Sequence, residues 1–440
     1  MRDRGQALVF GLLIAAMTGL SAHGESAARN WPAWRGPMAN GVAPQGNPPV
    51  TWGESKHIKW KVEVSSSGDS TPIVWGKKIF IQTAVATRDE GELKDESTPQ
   101  GGFTQTPTVP YRFNVLCLNR ETGAVLWERT VREESPHEGH HPTNGLASFS
   151  PVTDGAYVWA NFGSRGLHCF DLDGVHQWSA DLMRMETFSA FGEGSSPALA
   201  GDAVIVVADH EGVSKIFAFD KRSGELLWEK TRDEQSTWAT PLAVEVGGAF
   251  QVVTSGITFI RSYDVKTGDT VWQCSGLTSG CVASPVFGFG KVYCATGHKG
   301  YALLAIELGH TGDLTDSSAI AWRLNRGTPY VPSPLLYGDK IYLLQRTQAI
   351  LSCYRAKNGE PVFEGQKLEG MRNVYASPVG AAGRIYISDR EGTTTVVRLS
   401  ETFEVMAVNS LDDEFDTSPV VAGDELYLRG KSHLYCIARP

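Results

Sequence analysis

Short runs of alternating apolar and polar residues recur along the chain and predict antiparallel strands rather than helices. Examples are "DGAYVWA", "GDAVIVVA" and "GRIYIS", each of which begins at a turn shortly after a Ser/Thr-Pro step. A period of two turns one face of a strand towards a core, and the flanking Gly and Asp residues are typical of tight turns. A third run, such as "FAFD" or "RSYD", precedes a T-G or S-G turn, and a fourth run ends in an aromatic residue. The pattern therefore predicts units of four short strands.

The proline of the Ser/Thr-Pro step marks a repeat of about 44 residues, a period typical of propeller blades. Eight positions carry it: Pro72, Pro151, Pro197, Pro241, Pro285, Pro334, Pro378 and Pro419. Four antiparallel strands repeated at this period indicate a β-propeller, which typically has four to eight blades. The predicted fold class is all-β, an eight-bladed propeller of four-stranded antiparallel blades.

Two irregularities in the repeat concern its ends and its first blade. The last unit stops after its third strand, and "HIKWKV" near the N-terminus, which contains Trp60, has the pattern of the missing fourth strand. We therefore expect an N-terminal strand to close the ring and remove its exposed edges. The first two repeat prolines lie farther apart than the others, which predicts an insert at about residues 83–112 between strands two and three of blade one. The propeller is expected to span residues 51–440.

The aromatic and cysteine residues occupy fixed slots in the repeat, which favours structural roles for both. The fourth-strand aromatics are expected to wedge between neighbouring blades: Trp127, Trp178, Trp228, Trp272 and Trp322, with Phe363 and Met406 in the same slot. The third-strand cysteines are expected to be core residues: Cys117, Cys169, Cys353 and Cys436. Cys274 and Cys281 flank one short loop, and the sequence leaves open whether they form a disulfide, because the geometry of the loop decides it.

The N-terminus has the pattern of a secretory signal peptide at residues 1–24: Arg2 and Arg4, an apolar stretch too short to span a bilayer, and small residues at its end. Residues 25–50 form an extension before the propeller. The formal net charge is −9, and no basic run is present, so nucleic-acid binding is not expected. No later segment is long and apolar enough to cross a membrane. We expect an exported monomer, periplasmic or extracellular.

The segments "FAFDKRSGELLW" and "RSYDVKTGDTVW" resemble the repeats of pyrroloquinoline-quinone-type propellers. The resemblance covers roughly residues 31–440. That superfamily contains quinoprotein alcohol dehydrogenases and also non-enzymatic members, such as the lipoprotein that helps to assemble outer-membrane barrels. "WPAWRGP", "TPYVPSPLLYGD" and "LYLRGKSHLYCIA" look like an exported bacterial subgroup whose activity is not established. The resemblance implies the propeller fold and leaves the function open, because one fold hosts many functions.

In the enzyme members the resemblance implies a quinone over the funnel, a Ca²⁺ held by carboxylate and amide oxygens, an Asp that acts as base, and often a disulfide between adjacent cysteines. This chain has no adjacent cysteines and no haem-attachment motif, and no stretch matches the context of the catalytic Asp. We therefore assign no catalytic residue. The function expected is non-enzymatic binding of a protein, a glycan or a small molecule. The alternative is a dehydrogenase dependent on pyrroloquinoline quinone (PQQ) and calcium, acting at the same face.

The segment "HEGHH", residues 137–141, matches the H-E-x-x-H motif of zinc proteases. That motif works on a helix, where two His one turn apart bind the metal and the Glu is a general base. Here Pro136 and Pro142 flank the segment and Gly139 lies within it, which disfavours a helix. We expect a connecting loop without a metal, and His137 and His140 are the alternative candidates for a looser metal site.

Loops from strand four to the next strand one, and from strand two to strand three, emerge on the same face of a propeller. Polar and aromatic residues without an obvious structural role concentrate there, so this face is the expected site for a ligand or a partner. The loops Asp209–Gly212 and Asp389–Gly392 share a D-x-E-G pattern in blades three and seven, which face each other across the axis. The pattern is typical of a turn in which Asp accepts bonds from the backbone. The alternative is a cation or sugar site between the opposed carboxylates. The predicted binding residues are Asp209, Glu211, Trp238, Arg326, Tyr330, Asp389 and Glu391.

Overall fold

A computed structural model describes residues 29–64, 66–88 and 104–440. Within these residues the chain forms eight sheets, one for each blade. Each sheet contains four antiparallel strands, in which strand one pairs with two, two with three and three with four. The regular helical structure described is limited to two single 3₁₀ turns, Gly163–Arg165 and Phe188–Ala190. The predicted eight-bladed propeller is therefore confirmed. The predicted signal peptide lies outside the described residues, and no described helix is long and apolar enough to cross a membrane.

In each blade the strand that begins after the repeat proline is the innermost, and the strand that carries the aromatic slot is the outermost. Blades one to four comprise Ile73–Trp75, Lys78–Ala86, Tyr111–Asn119 and Val125–Glu134; Val152–Thr153, Tyr157–Asn161, Leu167–Asp171 and His176–Ala180; Ala198–Ala200, Ala203–Ala208, Ser214–Asp220 and Leu226–Arg232; Leu242–Val246, Ala249–Thr254, Ile260–Asp264 and Thr270–Cys274.

Blades five to eight repeat the same plan, and two additional short strands flank blades four and seven. Blades five to eight comprise Val286–Gly288, Lys291–Thr296, Ala302–Glu307 and Ile320–Leu324; Leu335–Tyr337, Lys340–Leu344, Ile350–Arg355 and Pro361–Lys367; Val379–Ala381, Arg384–Ser388, Thr393–Arg398 and Val405–Ser410; Val420–Ala422, Glu425–Arg429, His433–Ile437 and Ile58–Glu63. The additional strands pair in parallel: Val42–Ala43 with the innermost strand of blade seven, and Gly312–Asp313 with the outermost strand of blade four.

The outermost strand of blade eight comes from the N-terminal part of the chain. Ile58–Glu63 pairs antiparallel with His433–Ile437 and places Trp60 opposite Cys436. In blade one, the second and third strands reach Ala86 and Tyr111, so both extend into the range assigned to an insert. The excursion between them comprises residues 87–110, part of which lies outside the described residues.

The aromatic slot of each outer strand joins one blade to the next. Trp228 is 9% exposed, and its Nε1 donates 2.8 Å to the carbonyl oxygen of Val265 in the following blade. Trp127, Trp178 and Trp322 make the equivalent bond to the blade after theirs. The packing of Trp228 also explains why the T-G turn of the next blade needs a glycine. Gly268 has a φ of +74°, and an added Cβ would lie 2.6 Å from the ring of Trp228. The predicted wedges are therefore confirmed for these four tryptophans, whereas the buried Nε1 of Trp272 has no hydrogen-bond partner among the described residues.

The Ser/Thr-Pro step has a structural explanation in a series of hydrogen bonds around the channel. In seven of the eight blades, the Ser or Thr before the proline donates its backbone N–H to the hydroxyl of its equivalent in the next blade, at 2.8–3.2 Å. The residues joined in this way are Thr71, Ser150, Ser196, Thr240, Ser284, Ser333, Ser377 and Ser418. Among the described residues, the innermost strands of neighbouring blades do not pair with each other. These hydroxyls therefore supply acceptors that the buried N–H groups otherwise lack.

The N-terminal extension lies against the inner strands. Trp31 exchanges backbone hydrogen bonds with Val74 of blade one, and Val42–Ala43 pairs with the inner strand of blade seven. The N-terminal extension therefore packs against the innermost strands, which surround the central channel of the propeller. The cysteines are free and buried, including Cys274 and Cys281, so these two residues do not form a disulfide.

Candidate functional site

The channel mouth is a ring of residues that the repeat itself defines. At each blade, the residue three positions before the repeat proline is partly exposed, whereas the residue two positions before it is buried. The ring consists of Asp69, Ser148, Gly194, Trp238, Val282, Val331, Tyr375 and Asp416. Because the proline begins the innermost strand, these positions lie where the loops descend into the channel. We refer to these eight residues as the channel mouth.

The part of the mouth formed by blades seven, eight and one is charged. Lys431 lies between two carboxylates, with its Nζ 2.6 Å from Asp69 and 2.9 Å from Asp416. Arg390 pairs with Asp416 as well, at 2.6 Å, and its guanidinium lies 4.8 Å from the ring centre of Tyr375. Two cations and two anions thus alternate along this arc.

Burial changes the protonation behaviour of this charged arc. The pKa of Asp69 is raised, because burial and the nearby Asp416 carboxylate oppose the stabilising effect of Lys431. For Lys431, burial alone would lower the pKa, but Asp69 and Asp416 raise it above its usual value. The ammonium group of Lys431 is therefore held in its charged form between the two carboxylates.

The opposite part of the mouth, formed by blades four to six, is apolar and aromatic. Trp238 is half-buried, and its Nε1 donates 2.6 Å to the carbonyl oxygen of Gly192. Val282 and Val331 continue the arc. Next to Val331, the ring of Tyr330 lies 4.7 Å from that of His298. The mouth therefore has two chemically different halves.

The first D-x-E-G loop supports the mouth from behind. The Asp209 carboxylate is fully buried and receives two hydrogen bonds from Arg232, at 2.7 and 3.0 Å. It also accepts a 2.6 Å bond from the hydroxyl of Thr237, next to Trp238. Glu211 is exposed and accepts bonds from the backbone and hydroxyl of Ser236. Both acidic residues fix the loop that carries Trp238.

The acidic residues of the second D-x-E-G loop hold the loop that carries Tyr375 in the same way. The buried Asp389 accepts backbone bonds from Arg372 and Thr393, at 3.2 and 2.8 Å, and burial raises its pKa. Glu391 accepts a 3.1 Å bond from the amide of Asn373, two residues before Tyr375. The enclosed carboxylates of Asp209 and Asp389 are thus loop anchors rather than surfaces that a ligand can touch.

Arg326 lies away from the channel, although the sequence placed it near the axis. It follows the outermost strand of blade five, its side chain is 76% exposed, and its partner Glu364 lies on the outermost strand of blade six. The structure therefore brings Trp238 and Tyr330 to the mouth, places Glu211 and Glu391 behind it, and leaves Arg326 at the outer rim.

The "HEGHH" segment forms a loop, as predicted, with its side chains turned to neighbouring loops. Glu138 accepts bonds from the backbone and hydroxyl of Thr187, at 2.9 and 2.8 Å. His137 Nε2 lies 2.6 Å from the carbonyl oxygen of Met185, so this nitrogen carries a proton and donates. His140 is buried, and its backbone pairs with Gln105.

One group of potential metal ligands lies among the described residues, and it includes part of that loop. His137, Glu138 and Glu193 each place one ligand atom within 4.8 Å of the other two. Glu193 also accepts two bonds from Ser164 and lies 3.5 Å from the guanidinium of Arg165. The positive charge of Arg165 already balances the buried Glu193 carboxylate, which weighs against a cation there. His140 takes no part in this group.

The sequence reasoning missed the charged arc and Tyr375. Asp69, Asp416 and Tyr375 all stand three positions before a repeat proline, as Trp238 does. Aligning the loops on the proline would have found them. Lys431 and Arg390 lie in strand-two-to-three loops, and only their positions in space connect them to the mouth.

Eight four-stranded blades around this mouth define a β-propeller of the pyrroloquinoline-quinone-like repeat class. The family model described as outer membrane protein assembly factor BamB matches residues 112–362 and 214–440. The chain belongs to this family.

Among curated proteins, two are similar over short stretches. Subunit 1 of the methanol dehydrogenase (cytochrome c) of Paracoccus denitrificans is 37% identical over 79 residues, 18% of this chain and 12% of that protein. BamB of Francisella tularensis subsp. tularensis is 29% identical over 122 residues, 26% of this chain and 25% of that protein. These matches cover a quarter or less of each relative.

Among solved structures, BamB from Moraxella catarrhalis superposes with a TM-score of 0.54 at 15% identity, covering 81% of this chain and 98% of that one. At this identity the likeness shows the fold alone.

Proposed function

We propose that this chain is an exported, non-enzymatic binding propeller that holds a segment of a protein partner at the channel mouth. The observation that carries the proposal is the division of the mouth into a charged arc and an aromatic arc. A polypeptide offers both kinds of group within a few residues, so one bound segment can contact both arcs. Export is proposed from the signal-peptide pattern of residues 1–24.

The chemistry of the two arcs supports recognition. Trp238, Tyr330 and Tyr375 supply flat apolar surface with polar tips, which is typical of binding surfaces. Lys431 and Arg390 compensate Asp69 and Asp416, so the free mouth carries no uncompensated charge from these four groups. To bind here, a charged side chain of a partner would replace one member of these ion pairs. Such a replacement favours specificity over raw affinity. The description of the family, an assembly factor for outer membrane proteins, is in keeping with a protein partner.

The residues of the mouth do not fit a quinone cofactor with calcium. Calcium takes six to eight oxygen ligands, largely from uncompensated carboxylates and carbonyls. The mouth carboxylates Asp69 and Asp416 each lie within 3 Å of a cationic side chain. We therefore derive no catalytic step through the quinone. Adding PQQ with Ca²⁺ to the protein is expected to give no new absorbance band and no dye reduction.

The experiment is a selection of peptides from a displayed random library on the purified protein. We expect enriched peptides to pair an aromatic or aliphatic residue with a charged one. Trp238→Ala combined with Tyr375→Ala is expected to weaken their binding more than tenfold, about 1.4 kcal/mol. The matched control is Phe289→Ala, an aromatic residue that is 53% exposed in a turn on the opposite face.

Three results would contradict the proposal. The first is equal weakening by the control variant. The second is failure to enrich any peptide while a glycan array gives specific binding, which would favour a carbohydrate ligand. The third is PQQ-dependent dye reduction, which would favour the dehydrogenase alternative. Melting curves of all variants verify that each remains folded.

A further inference from the structure

The loops of blades five to seven that lie beside Tyr330 and Tyr375 are joined to one another. Isolated backbone bridges connect neighbouring loops: Ser279 with Lys299, Pro329 with Arg346, and Gln348 with Asn373. The loop of blade seven continues the row, because the backbone N–H of Arg390 donates 2.9 Å to the carbonyl oxygen of Asn373. Each loop therefore holds the next, so that their side chains form one continuous surface.

Three cations of this surface have no anionic partner. Lys299, Arg346 and Arg372 are exposed, and their side chains make neither a salt bridge nor a hydrogen bond to the part of the chain that the structure describes. Lys431 and Arg390 of the charged arc differ from them, because both are already paired with carboxylates. We refer to residues 297–301, 325–331, 345–349 and 368–375 as the basic loop surface.

The carboxylates close to the basic loop surface do not compensate the three free cations. Glu391 accepts a bond from the amide of Asn373, and Glu364 pairs with Arg326 at the outer rim. Glu369 stands two residues after the outermost strand of blade six, the position that Arg326 has after the outermost strand of blade five. The acidic groups thus lie behind the mouth or towards the outer rim.

Arg346 has a backbone conformation that is unusual for a residue with a side chain. Its φ is +55°, in the left-handed region that favours glycine. Its guanidinium lies 4.8 Å from the ring centre of Tyr301, and its carbonyl oxygen accepts a 3.2 Å bond from the backbone N–H of Tyr330. Strained residues of this kind cluster at functional sites. An arginine therefore stands where a glycine would fit better, and its charge is held beside an aromatic ring.

His298 shows that two of the cations act on the same small area. Its ring lies 4.7 Å from that of Tyr330. Burial, together with the positive charges of Lys299 and Arg346, lowers the pKa of His298. The positive charge of these two loops is thus placed next to the aromatic arc of the mouth.

We propose that the protein segment held at the mouth is acidic, and that its carboxylates bind Lys299, Arg346 and Arg372 while an adjacent apolar residue packs on the aromatic arc. This inference rests on the proposed function and specifies its partner. An acidic side chain gains charge-assisted hydrogen bonds here without breaking an ion pair. A basic side chain would have to replace Lys431 or Arg390 in the charged arc. The formal net charge of −9 would by itself favour a basic partner, so the two expectations differ in sign.

Fluorescence anisotropy with three labelled peptides tests the proposal on the purified protein. Each peptide has a central tryptophan, which is flanked on both sides by Asp and Glu in the acidic peptide, by Asn and Gln in the amide peptide, and by Lys in the basic peptide. We expect the acidic peptide to bind at least tenfold more tightly than the amide peptide, and the basic peptide to bind no more tightly than the amide peptide. Added sodium chloride is expected to weaken binding of the acidic peptide, because salt screens exposed charges.

Charge reversal locates the contact. Arg346→Glu and Arg372→Glu are each expected to weaken binding of the acidic peptide at least fivefold and to leave binding of the amide peptide unchanged. The matched control is Lys357→Glu, which reverses an exposed cation without an ion pair in a turn of blade six on the opposite face. Arg346→Gly keeps the test decisive if Arg346→Glu does not fold, because glycine adopts a positive φ without strain. We expect Arg346→Gly to melt as a folded protein and to lose binding of the acidic peptide in the same way.

The inference is overturned if the acidic and amide peptides bind equally, if Lys357→Glu weakens binding as much as Arg346→Glu, or if the folded Arg346→Gly variant binds the acidic peptide as the parent does. Binding of a heparin fragment but not of the acidic peptide would also overturn it, since the surface would then suit a sulfated glycan. If peptides enriched on the parent depend on Trp238 and Tyr375 but carry no acidic residue, the proposed function stands and this inference alone fails.

Discussion

Trp60 packs between the last blade and the first, and the cost of removing its side chain can be worked out from its contacts. Trp60 is 8% exposed, and its ring lies 5.9 Å from that of Tyr427 in its own blade. Its Nε1 donates 2.9 Å to the carbonyl oxygen of Arg120 in blade one. An added Cβ on Gly123 would lie 2.8 Å from the Trp60 ring, so the indole packs directly on the turn of blade one.

Trp60→Ala is expected to cost about 4 kcal/mol of unfolding free energy, since truncation of a buried Trp typically costs about 3–5 kcal/mol. Trp60→Phe keeps most of the ring and loses the Nε1 bond, so its expected cost is about 1 kcal/mol. Unfolding entropy is about 2.1 cal/mol/K per residue, which for a chain of this length converts 1 kcal/mol into about 1 °C of Tm. The expected losses of Tm are therefore about 4 °C for Trp60→Ala and about 1 °C for Trp60→Phe.

Differential scanning calorimetry of the parent and both variants measures these losses. Met38→Ala is the matched control, because Met38 also lies in the N-terminal part of the chain but is 61% exposed. The reasoning is refuted if Trp60→Ala melts with the parent, since the strand Ile58–Glu63 would then not close the ring in solution.

Two further predictions concern His168 and the "HEGHH" loop. Burial lowers the pKa of His168 to about 4 from an ordinary value of 6.5, so between these pH values the unfolded chain binds a proton that the folded one does not. The free energy of unfolding is therefore expected to fall by about 3 kcal/mol as the pH decreases through this window. In urea unfolding, this free energy should depend less steeply on pH for His168→Gln than for the parent. Equal pH dependences of the two proteins would contradict the prediction. Elemental analysis of the purified protein is expected to show no stoichiometric zinc, because Nε2 of His137 donates to Met185 and Arg165 compensates Glu193. One zinc per chain that is lost in His137→Ala would overturn that expectation.

The repeat was predictable because its signals are local. Alternation of period two, the turn residues and the aromatic slot each lie within a few positions of one another. Trp228, for example, follows an S-G turn within a few residues, and the turn on which it packs carries the same kind of signal one repeat later. The same local logic identified the segment at Trp60 as a fourth strand.

The path of the loops and of the N-terminal extension could not be predicted in the same way. Arg326 and Tyr330 stand four residues apart in one loop, yet one lies at the outer rim and the other beside the mouth. Asp209 has a carboxylate suited to a ligand, and only the fold shows that Arg232 encloses it. Arg35 stands in a segment without periodicity, and only the fold shows that it is buried and bonded to the carbonyl oxygens of Pro334 and Pro378.

The location of the partner site is the central claim, and site-specific cross-linking tests it most directly. The photoreactive amino acid benzoylphenylalanine is placed either at Trp238, in the mouth, or at Phe289, on the opposite face, and each protein is irradiated with a peptide enriched on the parent. Benzoylphenylalanine at position 238 is expected to form a covalent adduct that excess unlabelled peptide suppresses, and at position 289 it is expected to form none. An adduct formed only from position 289 would contradict the account, because the peptide would then bind the face that the turns form.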